Sequence, residues 1–231
     1  MKQNVYDYSF ELRRSRKKNI TTTLTVTFIL IIMLSLVCNL VLFPVFVRSE
    51  SMAPDISKNS AVFVSPLFRT PNRGDLVYLS RLDDEKQPVL LAVLNKIVAF
   101  FTFQQVEPFG YTDRLTGQPS VRRVMALPGD TIYMKDYMLY VKPQDKNLYL
   151  SEFEMAEKEY SIQIYSVPVE WDGLGSAGNM APMTLGDDEY FVLADNRIEA
   201  LDSRLWGTIP GERIKGKVIL EYFPFKKFRF F

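Results

Sequence analysis

Residues 121–141 read VRRVMALPGDTIYMKDYMLYV, and this stretch shows the fold class most clearly. Its runs of Val, Met, Tyr and Leu favour short strands, and the Pro-Gly-Asp between them is a turn signal. The same pattern recurs along most of the chain after residue 47. We therefore predict a mainly β fold built of antiparallel sheets. The other strand-like runs are SAVFVSP (60–66), GDLVYLS (74–80), YSIQIYSVPV (160–169), EYFVLADN (189–196) and KGKVILEYF (215–223).

The N-terminal part of the chain has the pattern of a membrane anchor. Residues 20–47, ITTTLTVTFILIIMLSLVCNLVLFPVFV, contain no charged side chain. About 20 apolar residues suffice to cross a bilayer as a helix. The basic sequence ELRRSRKK (11–18) lies directly before them, which predicts that the N-terminus stays inside. A cleaved signal peptide is the alternative, but FPVFVRSE (43–50) lacks the small residues of a cleavage site.

These features predict a single-pass protein of the cytoplasmic membrane with the lipid bilayer as a partner. We assign residues 1–19 to a basic cytoplasmic N-terminus and residues 20–47 to one transmembrane anchor. Residues 48–231 form an extracytoplasmic β domain, and residues 130–187 form a peripheral β insertion within it.

Charge and residue types exclude several functions. The chain carries a net charge of +1, but the part from Arg48 onward has 22 basic and 25 acidic residues. Nucleic-acid binding needs concentrated positive charge, so we expect no nucleic-acid partner. The chain has no histidine and one cysteine, Cys38, which excludes a Ser-His-Asp triad, a disulfide and a Cys/His zinc site. We expect no metal and no cofactor.

Three segments interrupt or end the strand pattern and leave alternatives open. Ser151–Lys158 is either a short exposed helix or a loop. Val89–Phe103, VLLAVLNKIVAFFTF, is either an apolar helix or a buried strand pair, with Lys96 near its middle. It could be a core element whose lysine reaches solvent, or a second membrane-touching surface beside the anchor. The C-terminal EYFPFKKFRFF (221–231) suits an interfacial anchor or a closing edge strand.

Three further segments carry a pattern of chemical interest. They are RSESMAP (48–54), RRVMALPGD (122–130), and YFVLADNR (190–197) with the DSR (202–204) and WG (206–207) that follow. Each alone is unspecific. In this order, behind an N-terminal anchor, they resemble the bacterial type I signal peptidase family, and GDLVYL (74–79) is a weaker fourth match.

The resemblance implies a β-rich catalytic domain at the membrane surface that removes signal peptides from exported preproteins by cutting after small side chains. It also implies a serine endopeptidase with a Ser/Lys dyad, in which an unprotonated lysine takes the proton of the serine hydroxyl. By this resemblance Ser51 is the nucleophile and Ser49 a donor to the oxyanion. Asp202 and Arg204 would form a supporting ion pair.

Two departures from the family pattern affect the general base, and Ala194, where the family usually has glycine, is a smaller change. Arg122 stands where the family has its general-base lysine, and Ala200 stands where the family has a serine that hydrogen-bonds this lysine. Lowering a lysine pKa from about 10.4 to about 8 costs roughly 3 kcal/mol, whereas an arginine starting near 13.8 requires roughly 8 kcal/mol. We therefore expect Arg122 to stay protonated.

Three functional interpretations follow from these substitutions. The protein could be a noncatalytic homologue that binds exported peptides or a partner peptidase. Lys96 could act as an alternative base, because desolvation in an apolar run lowers the pKa of a lysine. Arg122 could also support a slow or water-mediated reaction.

Overall fold

The computed structural model describes residues 3–80, 88–102, 120–156, 159–164, 178–198 and 201–231. Within these residues, one long N-terminal helix precedes a domain of mainly antiparallel strands. This arrangement confirms the predicted fold class. Of the strand run expected at residues 160–169, the structure describes only residues 160–164, in which Gln163 forms a single parallel bridge with Asn196.

The N-terminal helix α1 spans Gln3–Leu40. Its part Arg13–Leu40 is, among the described residues, the one helix long and apolar enough to cross a membrane. The predicted range 20–47 differs from the structure at its C-terminal end, because Phe43–Val47 form a strand, β1, whose alternate residues are buried. Pro44 has no N–H to continue a helix. The apolar helix α1 and the first strand follow each other almost directly.

The domain contains one large and one small sheet. The large sheet has the strand order β1-β2-β11-β3-β4-β9-β10, with β12 paired to β11. Its strands are β1 (Phe43–Val47), β2 (Ser60–Ser65), β3 (Leu76–Leu79), β4 (Ser120–Ala126), β9 (Glu189–Leu193), β10 (Ile209–Pro210), β11 (Ile214–Phe223) and β12 (Arg229–Phe230).

The small sheet has the order β7-β6-β5-β8, and all its strands lie within residues 130–187. Its strands are β5 (Thr131–Lys135), β6 (Met138–Lys142), β7 (Leu150–Ser151) and β8 (Met180–Thr184). Asp136 and Tyr137 join β5 to β6 with φ values of 51° and 64°. Positive φ at both central residues is the geometry that a two-residue hairpin loop requires.

The Leu-Pro-Gly-Asp turn connects the two sheets. Asp130 accepts the backbone N–H of Leu127 at 2.8 Å and a bidentate pair of bonds from Arg73, with Nη2 to Oδ1 at 2.6 Å and Nε to Oδ2 at 3.1 Å. Gly129 has a φ of 81°, which favours glycine. This turn fixes where β4 ends and the small sheet begins.

Two helical segments settle alternatives that the sequence left open. Val89–Phe101 is a helix, α2, and none of its residues is buried, so the interpretation as a core element or a buried strand pair is wrong. The physical reason is that α2 packs mainly on α1 rather than inside the sheets. Glu152–Met155 form the short helix α3, which begins at a capping box of Ser151 and Glu154.

The remaining helix and the chain end complete the domain. Ser203–Trp206 form α4, with Asp202 as its N-cap. The C-terminal aromatic segment folds back so that β12 pairs with β11, as a closing edge strand would.

Candidate active site

Ser51 lies in the loop after β1, at a position that buried neighbours fix. Met52 and Ile56 are fully buried, and the N–H of Ile56 donates to the carbonyl of Met52 at 2.7 Å. The N–H of Asn196 donates to the carbonyl of Ser51 at 3.0 Å, which ties the loop to the segment after β9. The anchor, the first strand and these contacts together determine where the Ser51 hydroxyl points.

The structure brings Ser49, Ser51 and Arg122 together. The Oγ atoms of Ser49 and Ser51 are 2.9 Å apart, and Nη1 of Arg122 donates to Ser51 Oγ at 3.0 Å. Arg122 comes from β4, which lies between β3 and β9 in the large sheet. Ser51 is 9% exposed and Arg122 is 5% exposed. The guanidinium therefore lies beside the candidate nucleophile in a largely desolvated position.

The other hydrogen bonds of Arg122 also go to neutral acceptors. Its Nε and Nη2 donate to the carbonyl of Leu201 at 2.9 and 2.7 Å, and Nη1 donates to the carbonyl of Val121 at 2.6 Å. Its Cζ lies 5.5 Å from the centre of the Trp206 ring, a cation–π distance. These contacts hold the guanidinium plane in one orientation.

Burial changes the acidity of Arg122. Burial lowers the pKa of Arg122 to about 10, while the charges of Asp202 and Asp195 act in the opposite direction. A group with that pKa is about 0.1% neutral at pH 7. A protonated guanidinium carries donors only and has no lone pair to accept a proton. Arg122 is therefore a cation at neutral pH, in hydrogen-bond contact with the candidate nucleophile.

Asp202 and Arg204 form the ion pair that the sequence predicts. Their Oδ2 and Nη2 atoms are 2.8 Å apart, and Asp202 Oδ2 also accepts the N–H of Ala194 at 3.1 Å. Arg204 Nη1 donates to the carbonyl of Arg197 at 2.6 Å. The pair thus connects the end of β9 to α4, and its two charges act on Arg122 in opposite directions: Asp202 raises the Arg122 pKa and Arg204 lowers it.

A neighbouring cluster around Arg123 was not found from the sequence. Arg123 binds Asp195 through two bonds of 2.9 and 2.6 Å and Asp55 through one of 2.6 Å. Burial acts to lower the pKa of Arg123, but hydrogen bonds and charge from Asp195 and Asp55 outweigh it and raise the pKa. The acidic residue Asp195, within Ala-Asp-Asn (194–196), was the sequence feature that could have indicated a buried partner for an arginine. Arg123 has carboxylate partners, whereas within the described residues the hydrogen bonds of Arg122 reach only neutral oxygens.

The two remaining candidate residues lie elsewhere. Lys96 is exposed on α2. Among the described residues, the hydrogen-bond partners found for Ser51 Oγ are Ser49 and Arg122, not Lys96. Ala200 lies outside the described residues.

The sequence of this chain matches one protein family over most of its length. The model of the family described as "Signal peptidase, peptidase S26" matches residues 20–223. The chain belongs to this signal peptidase family. The match begins in α1 and ends with β11, so it includes Ser51, Arg122 and Asp202. This signal peptidase homologue is thus related to peptidases over the apolar part of α1 and over its β domain.

Individual relatives agree with the family. Signal peptidase I U of Bacillus subtilis (strain 168) is 26% identical over 222 residues, which cover 93% of this chain and 94% of the relative. Signal peptidase I of Bacillus licheniformis is 27% identical over 224 residues, covering 95% and 97% of the two chains. A crystal structure of a signal peptidase I from Enterococcus faecalis V583 matches with 20% identity and a TM-score of 0.32, covering 65% of this chain and 97% of that one.

Proposed function

We propose that this chain receives the signal peptides of exported preproteins at the outer face of the cytoplasmic membrane. At neutral pH it binds them beside Ser51 without cleaving them. The helix α1 anchors it with the N-terminus inside and the β domain outside. The family relationship supports the choice of ligand, since the curated relatives are signal peptidases by name.

The observation that carries this proposal is the hydrogen bond from Arg122 Nη1 to Ser51 Oγ, at 3.0 Å. To attack a peptide carbonyl, the Ser51 hydroxyl must lose its proton to a base within hydrogen-bond reach. Its neighbours in the described residues are the hydroxyl of Ser49 and a guanidinium that is protonated at neutral pH. Neither can take the proton, so the nucleophile is in place but is not activated.

The site keeps the features that would hold a peptide. Ser49 and Ser51 remain available as hydrogen-bonding hydroxyls, and Asp202 and Arg204 keep the site's supporting contacts. The donors of Arg122 already bind Leu201, Val121 and Ser51, so Arg122 favours a nearby peptide carbonyl through its positive charge. Loss of the base therefore removes a catalytic step while leaving recognition groups in position.

A second candidate function is slow cleavage in which Arg122 itself acts as the base. The lowered pKa of Arg122, about 10, favours this candidate, because a small neutral fraction exists at every pH. That fraction grows as the pH rises. The two candidates therefore differ in rate and in pH dependence, but not in ligand.

Binding of a synthetic signal peptide to the full-length protein in detergent tests the proposal. Fluorescence anisotropy should show saturable binding of a labelled peptide that contains an Ala-x-Ala site. A matched peptide with Phe-x-Phe at that site should bind at least about tenfold more weakly, because the family accepts small side chains there. Equal affinity for the two peptides, or no saturable binding, would contradict the proposal.

A further inference from the structure

The helix α2 presents an apolar face outward. It follows Pro88 and spans Val89–Phe101, and none of its residues is buried. Its large exposed apolar side chains range from 38% to 81% exposed. Their spacing of one, three or four residues places them on one broad stripe of the helix. They are Val89, Leu90, Val93, Leu94, Ile97 and Phe101.

The opposite face of α2 is covered. The half-buried residues on this face are Leu91, Ala92, Asn95, Val98 and Ala99, and Phe100, on the side of the exposed stripe, is half-buried as well. A surface helix of a water-soluble domain turns a polar face to water, whereas α2 is mostly apolar on both its covered and its exposed face. A contiguous exposed apolar patch on a folded domain indicates a partner that covers it.

The partner of the covered face is the membrane anchor. Asn39 of α1 donates through Nδ2 to the carbonyl of Phe100 at 3.0 Å and to the carbonyl of Ser35 at 2.7 Å. The Phe100 carbonyl is in the last turn of α2, where the carbonyls have no intrahelical donor. Asn39 and Phe100 therefore satisfy each other's polar groups, as groups inside a bilayer must.

The contact also places α2 relative to the apolar part of α1. Ser35 lies one turn before Asn39 on the same face and is fully buried, while Leu34 and Leu36 beside it are exposed. Small and polar residues such as Ser35 and Asn39 are typical of helix contacts in membranes. The face of α1 that meets α2 therefore belongs to the segment that is apolar enough to span the bilayer.

The length of α2 and the position of its one charged residue suit insertion into a single leaflet of a lipid bilayer. Thirteen residues at about 1.5 Å each give a helix of roughly 20 Å, too short for a hydrocarbon core of about 30 Å. Lys96 lies at the margin of the exposed stripe, where a lysine can extend its ammonium group toward the headgroups.

We propose that α2 is inserted into the outer leaflet of the bilayer, with its exposed stripe against lipid acyl chains and its other face on α1. This inference rests on the proposed anchoring by α1. Two attachments instead of one restrict rotation of the β domain about the anchor, so the Ser51 loop keeps a constant height and direction above the membrane.

Site-specific fluorescence in proteoliposomes tests this placement with the full chain. Cys38 is replaced by Ala, and one cysteine at a time is introduced for an environment-sensitive nitrobenzoxadiazole label. Leu94→Cys and Ile97→Cys report on α2, Leu30→Cys on α1, and Lys146→Cys on an exposed turn of the β domain. Quenching is measured with phosphatidylcholine brominated on its acyl chains and with iodide on both sides of the membrane.

We expect brominated lipid to quench the labels at Leu94, Ile97 and Leu30 at least twofold more strongly than the label at Lys146, with the reverse order for iodide. Quenching at Leu30 together with iodide access at Leu94 and Ile97 would overturn the placement of α2 and leave the anchor intact. Protection of Leu94 and Ile97 from both quenchers would show a protein partner and would also overturn it. Iodide access at Leu30 would contradict the anchoring itself.

Discussion

Arg122 Nη1 donates a hydrogen bond to Ser51 Oγ across 3.0 Å, so the buried guanidinium and the candidate nucleophile are in direct contact. At neutral pH the guanidinium cannot take the proton of this hydroxyl, because a protonated guanidinium donates hydrogen bonds and has no lone pair to accept a proton. Ser51 is thus positioned next to a cation and not next to a base.

Restoring the family residues should produce cleavage. The double variant Arg122→Lys/Ala200→Ser supplies an amine whose pKa burial can lower, together with a hydroxyl to orient it. General-base catalysis contributes about 10²–10⁴-fold in rate, and we expect a gain of that order at pH 8 over the wild type. Gel analysis of a preprotein with an Ala-x-Ala site measures it.

The triple variant that adds Ser51→Ala is the matched control for this gain. It should return the rate to that of the wild type, because the nucleophile is then missing. A gain that persists in the triple variant would mean that the cleavage does not use Ser51, or that it comes from a contaminating peptidase.

Any slow cleavage by the wild type should rise with pH. Because burial lowers the pKa of Arg122 to about 10, its neutral fraction increases as the pH approaches that value from below. The rate should increase about tenfold per pH unit between pH 7 and 9. In Arg122→Lys/Ala200→Ser the rise should level off at lower pH. A wild-type rate that is flat over this range would exclude Arg122 as the base.

The buried ion pair beside the small sheet should matter for stability. Arg197 and Glu152 are both 0% exposed, and their Nη1 and Oε1 atoms are 3.1 Å apart. Arg197→Met leaves a buried carboxylate without its cation, so we expect a loss of about 3–5 kcal/mol in the free energy of unfolding. Urea unfolding in detergent, followed by fluorescence, measures this loss.

A less buried pair provides the comparison for that experiment. Lys217 and Asp75 are 23% and 14% exposed, so water screens their attraction more than that between Arg197 and Glu152. Lys217→Met should cost less than about 1 kcal/mol. Equal losses from the two variants would show that burial does not set the strength of these pairs.

Close backbone approach at Gly216 gives a prediction about the large sheet. A Cβ atom at Gly216 would lie 2.3 Å from the carbonyl oxygen of Ser65, which belongs to β2. Gly216→Ala must push β11 away from β2, and we expect a loss of about 3 kcal/mol in the free energy of unfolding. Gly186→Ala is the control, since its Cβ would meet only the flexible Glu189 side chain at 3.3 Å. Urea unfolding that shows the same loss for both variants would contradict this explanation.

The strand pattern could be read from the sequence wherever alternation and turn residues agree. Ile132 and Met134 alternate with less buried neighbours along β5, and the partner strand β6 does the same. Such period-2 burial leaves a direct trace in residue types. The proximity of Ser51 and Arg122 followed from the family resemblance, because 71 residues separate them in the chain.

Other features could not be read from residue types. Phe43–Val47 are as apolar as the anchor before them, so composition alone did not separate a buried strand from a membrane helix. One face of α2 is covered because it packs on α1, a contact that the sequence of α2 does not reveal. Arg122 donates to the backbone carbonyl of Leu201, and every residue type provides such an acceptor. Asp55 reaches Arg123 only because the large sheet brings the two segments together.

The most direct test of the account compares cleavage of one preprotein by the wild type and by Arg122→Lys/Ala200→Ser at pH 7.5. Mass spectrometry of the product N-terminus should detect a product from the double variant and, in the same time, none from the wild type. A wild-type product that forms as fast as that of the double variant and disappears in Ser51→Ala would contradict the claim that protonated Arg122 leaves Ser51 without a base.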